Sequence, residues 1–176
     1  MPALVTEYFV AQAGSTPIDA AYRVGLPVSL CAEVIMLTPE QICPLPPTHP
    51  ALLGVVNWRG QLLWTLALDQ WLWGSASQGH HASAPGSTPS ANIRAEGRSR
   101  TALVLTQNTP EGTERKLACV VSRLEALLAL EADQAHNLTP ETVSLDTAQW
   151  THFNQVVPQH QLLLINTAHL FQPDRW

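Results

Sequence analysis

Short apolar runs separated by polar, turn-forming segments are the dominant pattern along this chain. Apolar-rich runs lie at residues 3–13, 21–37, 52–68, 101–107 and 116–121, and Gly, Pro, Ser, Asn and Asp are common between them. Runs of this length that are rich in Val, Leu and Ile and bounded by turn residues are typical of β-strands. The spacing favours an all-β sandwich or barrel over repeated βαβ units.

The last third of the chain continues the pattern. Residues 124–130 are apolar at nearly every position, which predicts a buried strand, although a helix over 124–135 remains open. Residues 153–157 and 161–166 predict a hairpin around a Pro-containing turn, and residues 167–172 predict a short terminal helix.

Prolines mark two local boundaries. Pro27 splits its apolar run and should lie at an edge or a bend, because it cannot donate a hydrogen bond to a ladder. Residues 38–41 read Thr-Pro-Glu-Gln, an N-cap followed by Pro at the first helical position and Gln at the third. Only a single helical turn can follow, because Pro44 and later prolines prevent continuation.

Residues 74–100 differ from the rest in composition. They are mostly Gly, Ser, Ala, Pro and His, with one Ile and no aromatic residue. Such a segment buries too little apolar surface to offset its ordering entropy, so we predict a flexible surface loop. His80 and His81 lie in it, and a metal site needs more ligands than this pair, so we interpret them as solvated.

The run at 52–68 predicts a β-hairpin with an unusual tip. Two apolar strands flank a polar turn that contains Asn57, Arg59 and Gly60, and the Leu residues of both strands are expected to be mostly core. Asn57 and Gly60 suit turn conformations, and Gly54 would permit a bulge or a close backbone approach. An Arg at the tip is well placed to pair with a carboxylate or to dock a partner.

Two tryptophans belong to the same hairpin. Trp58 and Trp64 are six residues apart, which places both on one face if no bulge intervenes. Exposed Trp is a common interface anchor, whereas filling of the core is the alternative for each.

This central segment resembles the CheW family, the scaffold proteins that join chemoreceptors to the histidine kinase CheA. The positions that match the family's Pro-rich lead-in and its Gly-Val-x-Asn-x-Arg-Gly turn are Pro46, Pro50, Gly54, Val55, Asn57, Arg59, Gly60 and Leu68. Residues 26–28 and 32–34 resemble an upstream strand of the family, and residues 117–124 and 161–170 resemble two downstream blocks. The order and spacing of the blocks extend the resemblance over most of the chain.

The resemblance implies a fold and a domain division. We expect an all-β, CheW-like fold of two small five-stranded β-barrels packed on a shared core, with short helical turns and a short C-terminal helix. Residues 1–176 would form a single CheW-like domain, divided into lobe one (about 14–73), a flexible loop (about 74–100), lobe two (about 101–166, with the strand at 3–13) and a terminal helix (about 167–172).

The resemblance also implies a function. We expect a non-catalytic, cytoplasmic adaptor that couples chemoreceptors to a CheA-type histidine kinase in chemotaxis or type IV pilus motility. Its partners would be the regulatory domain of the kinase and the cytoplasmic tip of the receptor.

Candidate site residues follow from the matching positions. Arg59 matches an Arg associated with coupling, and Glu33 matches the Glu of an upstream strand, so we predict an ion pair that orients the hairpin. A purely structural pair is the alternative. Asn57, Trp58 and Trp64 are further partner-binding candidates, and Gly54 and Gly60 are assigned to turn structure. Trp58 and Trp64 stand where the usual pattern has a small aliphatic residue and a Pro.

Three departures from the family pattern suggest a second hypothesis. Ala67 and Ser122 replace Asp, and Ala118 replaces Gly. A divergent scaffold that binds only one partner, with a capping or inhibitory role, is therefore kept as the alternative function.

Composition and charge exclude several other functions. Charged residues make up only 13% of the chain, about half of the ~25% usual for soluble domains, which fits either a surface covered by partners or one rich in Gln, Thr and Ser. A net charge of −5 without a basic stripe argues against nucleic-acid binding, and no apolar stretch is long enough to insert in a membrane.

No sequence motif indicates catalysis. The chain lacks nucleotide-binding, hydrolase and zinc-protease motifs, and we predict no metal and no cofactor. Cys31 and Cys119 lie in apolar runs and are expected to be small buried side chains. Cys43 and His49 are not interpreted as a nucleophile pair, because nothing nearby would activate the thiolate.

Overall fold

The computed structural model describes residues 5–13, 23–46, 49–74, 98–109, 111–141, 143, 145 and 149–172. Most of the predicted loop at 74–100, with His80 and His81, lies outside the described residues, and so does the segment at 14–20.

Strands account for most of the described chain. They are β1 (Val5–Gln12), β2 (Arg23–Pro27), β3 (Cys31–Leu37), β4 (Ile42–Cys43), β5 (Leu52–Trp58), β6 (Gln61–Ala67), β7 (Arg100–Asn108), β8 (Glu114–Val121), β9 (Arg123–Glu131), β10 (His136–Asn137), β11 (Phe153–Val157) and β12 (Leu162–Ile165). The α-helices in this part of the chain are α1 (Leu68–Trp73) and α2 (Thr167–Leu170). Neither helix is long and apolar enough to cross a membrane. The prediction of a mostly-β chain with short helices is confirmed.

The strands form two six-stranded sheets. The first sheet has the order β10-β11-β12-β2-β1-β9, and the second has the order β3-β7-β8-β6-β5-β4. Each sheet contains five strands of at least four residues and one strand of only two residues, β10 or β4. The two predicted five-stranded units therefore correspond to two sheets of five longer strands, each extended by a short one.

Strands are not divided between the sheets in chain order. The sequence predicts that residues 101–121 belong to lobe two, but β7 pairs antiparallel with β3 and β8 pairs parallel with β6. Strands β7 and β8 therefore lie in one sheet with β3 to β6, which were predicted to belong to lobe one. A hairpin pattern predicts which neighbouring segments pair, whereas the strand that the hairpin then joins depends on packing between distant parts of the chain.

A shared apolar core lies between the sheets, as predicted. Leu66, Leu103 and Leu117 of the second sheet belong to the same buried cluster as Leu26 and Leu163 of the first. Helix α1 adds two tryptophans to this cluster. Each sheet also contributes to a smaller buried cluster of its own.

The predicted proline boundaries are present. Pro27 ends β2 and is followed by a 3-10 turn over Val28–Leu30, which leads the chain from the first sheet to the second. Thr38 N–H donates a hydrogen bond of 2.8 Å to Gln41 Oε1, which is the bond that the predicted capping pattern assigns to Gln41. Only the 3-10 turn Pro39–Gln41 follows before β4 begins.

Strand β9 corrects the prediction of a buried strand at 124–130. The segment is a strand, but only Leu130 is buried in it, and Leu127 is 54% exposed. Among the described strands β9 pairs only with β1, because it stands at the end of the sheet order. A strand with one neighbour exposes an edge as well as a face, which explains why an almost uniformly apolar run is not buried.

Candidate functional site

The candidate site is at the tip of the β5–β6 hairpin. Arg59 and Gly60 form a two-residue turn with φ values of 51° and 80°. Asn57 Oδ1 accepts a hydrogen bond of 3.0 Å from Gly60 N–H. Positive φ at both turn positions matches the type I′ turn that strand twist favours, yet it costs a residue with a Cβ about 1–2 kcal/mol. Arg59 therefore occupies a position where Asn or Gly would fold with less strain, which marks it as a functional candidate.

One carboxylate oxygen holds this tip against β3. Glu33 Oε2 lies 2.8 Å from Arg59 Nη2, so the predicted ion pair is present. The same oxygen accepts a hydrogen bond of 3.1 Å from Trp58 Nε1–H. Because β3 begins the order of the second sheet and β5 lies near its other end, Glu33 joins two regions that do not pair through their backbones in the described chain.

The ion pair is too exposed to contribute much stability. The side chains of Arg59 and Glu33 are 69% and 34% exposed. Ion pairs in such positions typically contribute about 0–1 kcal/mol, because water screens both charges. Orientation is the larger effect, since Arg59 keeps most of its guanidinium accessible while one nitrogen is held by Glu33.

Two cations approach the ring of Trp58. Arg59 Cζ lies 4.8 Å and Lys116 Nζ lies 5.4 Å from the ring centroid, both within cation–π range. Lys116 on β8 also pairs with Glu114 Oε2 at 2.9 Å. Glu33, Trp58, Arg59 and Lys116 therefore form one group of contacting side chains, which we call the tip cluster.

Trp58 and Trp64 lie on opposite faces of the hairpin, which corrects the prediction that they share one. The cross-strand partner of Trp64 is Val55, three residues before Trp58. Residues opposite each other share a face, and residues an odd number apart on one strand point to opposite faces. The even separation of the two tryptophans applies only within a continuous strand, and here a turn lies between them.

Trp64 and Leu62 form an exposed apolar pair on β6, which we call the outer patch. Their exposed fractions are 47% and 73%. They are two residues apart and share a face with Leu66, which is buried between the sheets. The outer patch is thus the exposed continuation of the shared core. Trp64 therefore does not fill the core. The expectation that the hairpin leucines are mostly buried is wrong for Leu62.

The two hairpin glycines have different reasons to be glycine. Gly54 has a φ of 137°, and a Cβ there would collide with the carbonyl oxygen of Cys43 on β4. The register of β5 and β6 also shifts between Leu52 and Gly54. At Gly60 an added Cβ would meet nothing within 4 Å, so positive φ alone favours glycine.

Sequence reasoning missed Leu62 and Lys116. Leu62 could have been found, because it alternates with Trp64 on the outward positions of β6. Lys116 has no local signal, since it reaches Trp58 only through the parallel pairing of β6 with β8.

Two of the three thiols, those of Cys31 and Cys119, are at least partly shielded from solvent. Cys119 is buried, and burial raises the pKa of its thiol. Cys31 is half-buried, not buried as expected, and partial burial raises its pKa as well. Within the described parts of the chain, no three His, Cys, Asp or Glu side chains converge as a metal ion would require.

Comparison with known proteins identifies the fold and the family model that fits the sequence. The model of the CheW-like domain matches residues 20–172. The crystal structure of scaffolding protein TtCheW from Thermoanaerobacter tengcongensis superposes with a TM-score of 0.63, covering 98% of this chain and 97% of that one. Sequence identity in that pair is 14%, so the likeness concerns the fold alone. No curated protein sequence matches the chain.

Proposed function

Because the chain belongs to the family of CheW-like domains, we propose that it is a non-catalytic cytoplasmic adaptor that couples chemoreceptors to a CheA-type histidine kinase. Its output would be chemotaxis or type IV pilus motility. The structural neighbour TtCheW is described as a scaffolding protein, which supports the scaffold part of the proposal.

Arg59 carries the proposal. It lies in a strained turn at the end of a hairpin, is 69% exposed, and is oriented by Glu33. Because Glu33 already orders the exposed guanidinium in the free protein, Arg59 can donate in pairs to a carboxylate of a partner without a large ordering penalty. We propose that the regulatory domain of the kinase presents this carboxylate.

The outer patch would provide an apolar contact beside the charged one. Trp64 and Leu62 are exposed on the hairpin face opposite the ring of Trp58. Large exposed apolar side chains, Trp above all, are typical anchors of protein interfaces. Asn57 is exposed and shares this face, because it pairs with Leu62 across the strands. We propose that the outer patch and Arg59 contact partners from two faces of one hairpin.

The adaptor would act only by holding its two partners in a fixed relative position. An adaptor of this kind performs no turnover, and two weak interfaces reach high avidity once kinase and receptor are held in one array. The short strands and turns of the hairpin keep the two contacts at a constant separation, which a flexible segment could not do.

The test is binding of the regulatory domain of a CheA-type kinase to Arg59→Glu, with Arg123→Glu on β9 as the matched charge reversal. We expect Arg59→Glu to weaken binding at least about tenfold, the loss of roughly one charge-assisted hydrogen bond. Arg123→Glu should bind as the wild type does. Equal affinities of the wild type and a folded Arg59→Glu variant would exclude Arg59 from the interface.

A charge swap separates a contacting Arg59 from a purely structural pair. The double variant Glu33→Arg/Arg59→Glu keeps an ion pair but moves the positive charge to β3. If Arg59 contacts the kinase directly, the swap stays as weak as Arg59→Glu alone. Recovery of wild-type affinity would show that kinase binding depends only on the ion pair between positions 33 and 59 and not on a direct contact with Arg59.

An adaptor that binds only one partner is the second candidate. Of the three departures that suggest it, Ala67 and Ala118 are buried, so their side chains would contact no partner in the folded state. Ser122 is exposed and is the remaining observation in its favour. Recruitment of kinase without receptor by the purified protein would support this alternative, and a ternary complex would contradict it.

A further inference from the structure

We infer that Trp58 is a positioning residue that keeps Glu33 in place when Arg59 exchanges its internal partner for a carboxylate of a bound protein. The inference rests on the proposed function and adds a division of roles within the tip cluster. Arg59 makes the contact, and Trp58 prepares it.

The arrangement depends on one shared oxygen. Glu33 Oε2 accepts from Trp58 Nε1 at 3.1 Å and lies 2.8 Å from Arg59 Nη2. If Arg59 turned towards a partner, Glu33 would keep the indole N–H as a donor. Its carboxylate, which is 34% exposed, would also gain water in place of Arg59. Exchange of the ion pair therefore leaves no unsatisfied charge behind.

The ring of Trp58 adds a second compensation. Its centroid lies 4.8 Å from Arg59 Cζ and 5.4 Å from Lys116 Nζ. Departure of Arg59 would remove one cation from the ring and leave the other, since Lys116 is held separately by Glu114 and Gln61. The ring thus keeps a cationic neighbour in both states, which holds Trp58 in place while Arg59 moves.

The position of Trp58 argues against a role as a partner anchor. It is half-buried and packs against the smaller core cluster of the second sheet, on the hairpin face opposite Trp64. The small aliphatic residue usual at this position in the resembling pattern has neither an N–H donor nor a ring. The positioning role therefore depends on the Trp that this chain carries at position 58.

The first test needs no partner. Trp58→Phe keeps an aromatic ring but removes the N–H donor, and Trp150→Phe is the matched control, because Trp150 Nε1 donates to Leu145 O at 3.0 Å elsewhere in the fold. The readout is the ¹H–¹⁵N heteronuclear NOE of the Arg59 Nε–H group. We expect an ordered side chain in the wild type and in Trp150→Phe, and a mobile one in Trp58→Phe.

Two results of that test would overturn the inference. One is an Arg59 side chain that is as ordered in Trp58→Phe as in the wild type. The other is an Arg59 that is already as mobile in the wild type as the exposed Arg123 of β9.

The second test is a double-mutant cycle on binding of a CheA-type regulatory domain. Loss of a hydrogen bond to a carboxylate should raise Kd about tenfold when Trp58→Phe is made in the wild type. In an Arg59→Gln background the same change should raise Kd less than about twofold, because positioning matters only if Arg59 is present. Equal effects in the two backgrounds would mean that Trp58 contacts the partner directly, against the inference.

Failure of the wild type to bind would count against the proposed function, not against the positioning role. The NOE measurement in the free protein would then decide the role of Trp58 alone.

Discussion

Replacing Gly54 by Ala should destabilise the protein far more than an exposed Gly→Ala change does. Gly54 has a φ of 137°, and an added Cβ would collide with the Cys43 carbonyl oxygen and lie 2.9 Å from Pro44 Cα. These are backbone atoms, so no side-chain rotation relieves the collision. Either β5 or β4 must move.

The magnitude follows from the contacts that would be lost. A non-glycine residue held in this region of φ costs on the order of 1–3 kcal/mol. Displacing β4 would break its pairing with β5, where Ile42 lies opposite Val56 and Cys43 opposite Val55. Roughly two ladder hydrogen bonds at about 1 kcal/mol each would be weakened. We therefore expect a loss of about 4 kcal/mol in the free energy of unfolding, a large part of the 5–15 kcal/mol typical of a domain.

Urea unfolding followed by circular dichroism measures this loss, and Gly60→Ala is the matched control. Gly60 lies in the same hairpin with a φ of 80°, but a Cβ there meets nothing within 4 Å. Its replacement should lower the free energy of unfolding by only about 1–2 kcal/mol, the ordinary penalty of a left-handed conformation. The difference between the two variants isolates the close approach of β4.

Equal losses in the two alanine variants would refute this reasoning. They would mean that β4 yields without penalty and that only the backbone angle requires a glycine at position 54. The slope of the free energy against urea must also be unchanged, because an altered slope would report a change in the unfolded or native ensemble instead.

Three further predictions concern the core. Burial raises the pKa of the Cys119 thiol above its ordinary value of 9.0, so the unfolded state loses this proton first and stability falls as pH rises above 9. Between pH 8 and pH 10, the free energy of unfolding measured in urea should fall by about 1.4 kcal/mol more for the wild type than for Cys119→Ala. Equal decreases in the two proteins would contradict this prediction. Thr65 is buried and its hydroxyl has no hydrogen-bond partner in the described structure, so Thr65→Val should raise the free energy of unfolding by about 1 kcal/mol, and a decrease would indicate an unseen partner. Leu66→Ala should lower the free energy of unfolding by about 2–5 kcal/mol and Leu127→Ala by less than about 1 kcal/mol, because only Leu66 is buried. Similar losses in the two variants would mean that Leu127 of β9 is buried.

Features that depend on neighbouring residues were predictable. The hairpin at 52–68, the Pro27 bend and the turn at 38–41 were all predicted from the sequence and are present. Each follows from backbone limits on Pro and Gly or from apolar runs of strand length, which act within a few residues. The pairing of Glu33 with Arg59 came from the family resemblance, because no local rule connects residues so far apart.

Apolar content alone misjudged exposure. Residues 124–130 contain as many apolar side chains as a central strand, yet β9 has one neighbour and exposes Leu127. Leu62 was likewise grouped with the core leucines, although it lies at the exposed end of the hairpin. The hydrophobicity of a segment indicates how much free energy its burial would contribute. Whether the segment has neighbours that bury it depends on its position in the whole sheet.

The sequence by itself determined the strand-rich class, the hairpin and the position of its turn at Arg59, because strand periodicity and the short-range backbone preferences of the neighbouring residues set where strands end. Only the tertiary structure decided that Trp58 and Trp64 face opposite ways, that Lys116 reaches the Trp58 ring, and that β7 and β8 complete the second sheet. The reason is register: a one-residue change in pairing turns every side chain to the other face, and parallel pairing joins segments that no local pattern connects.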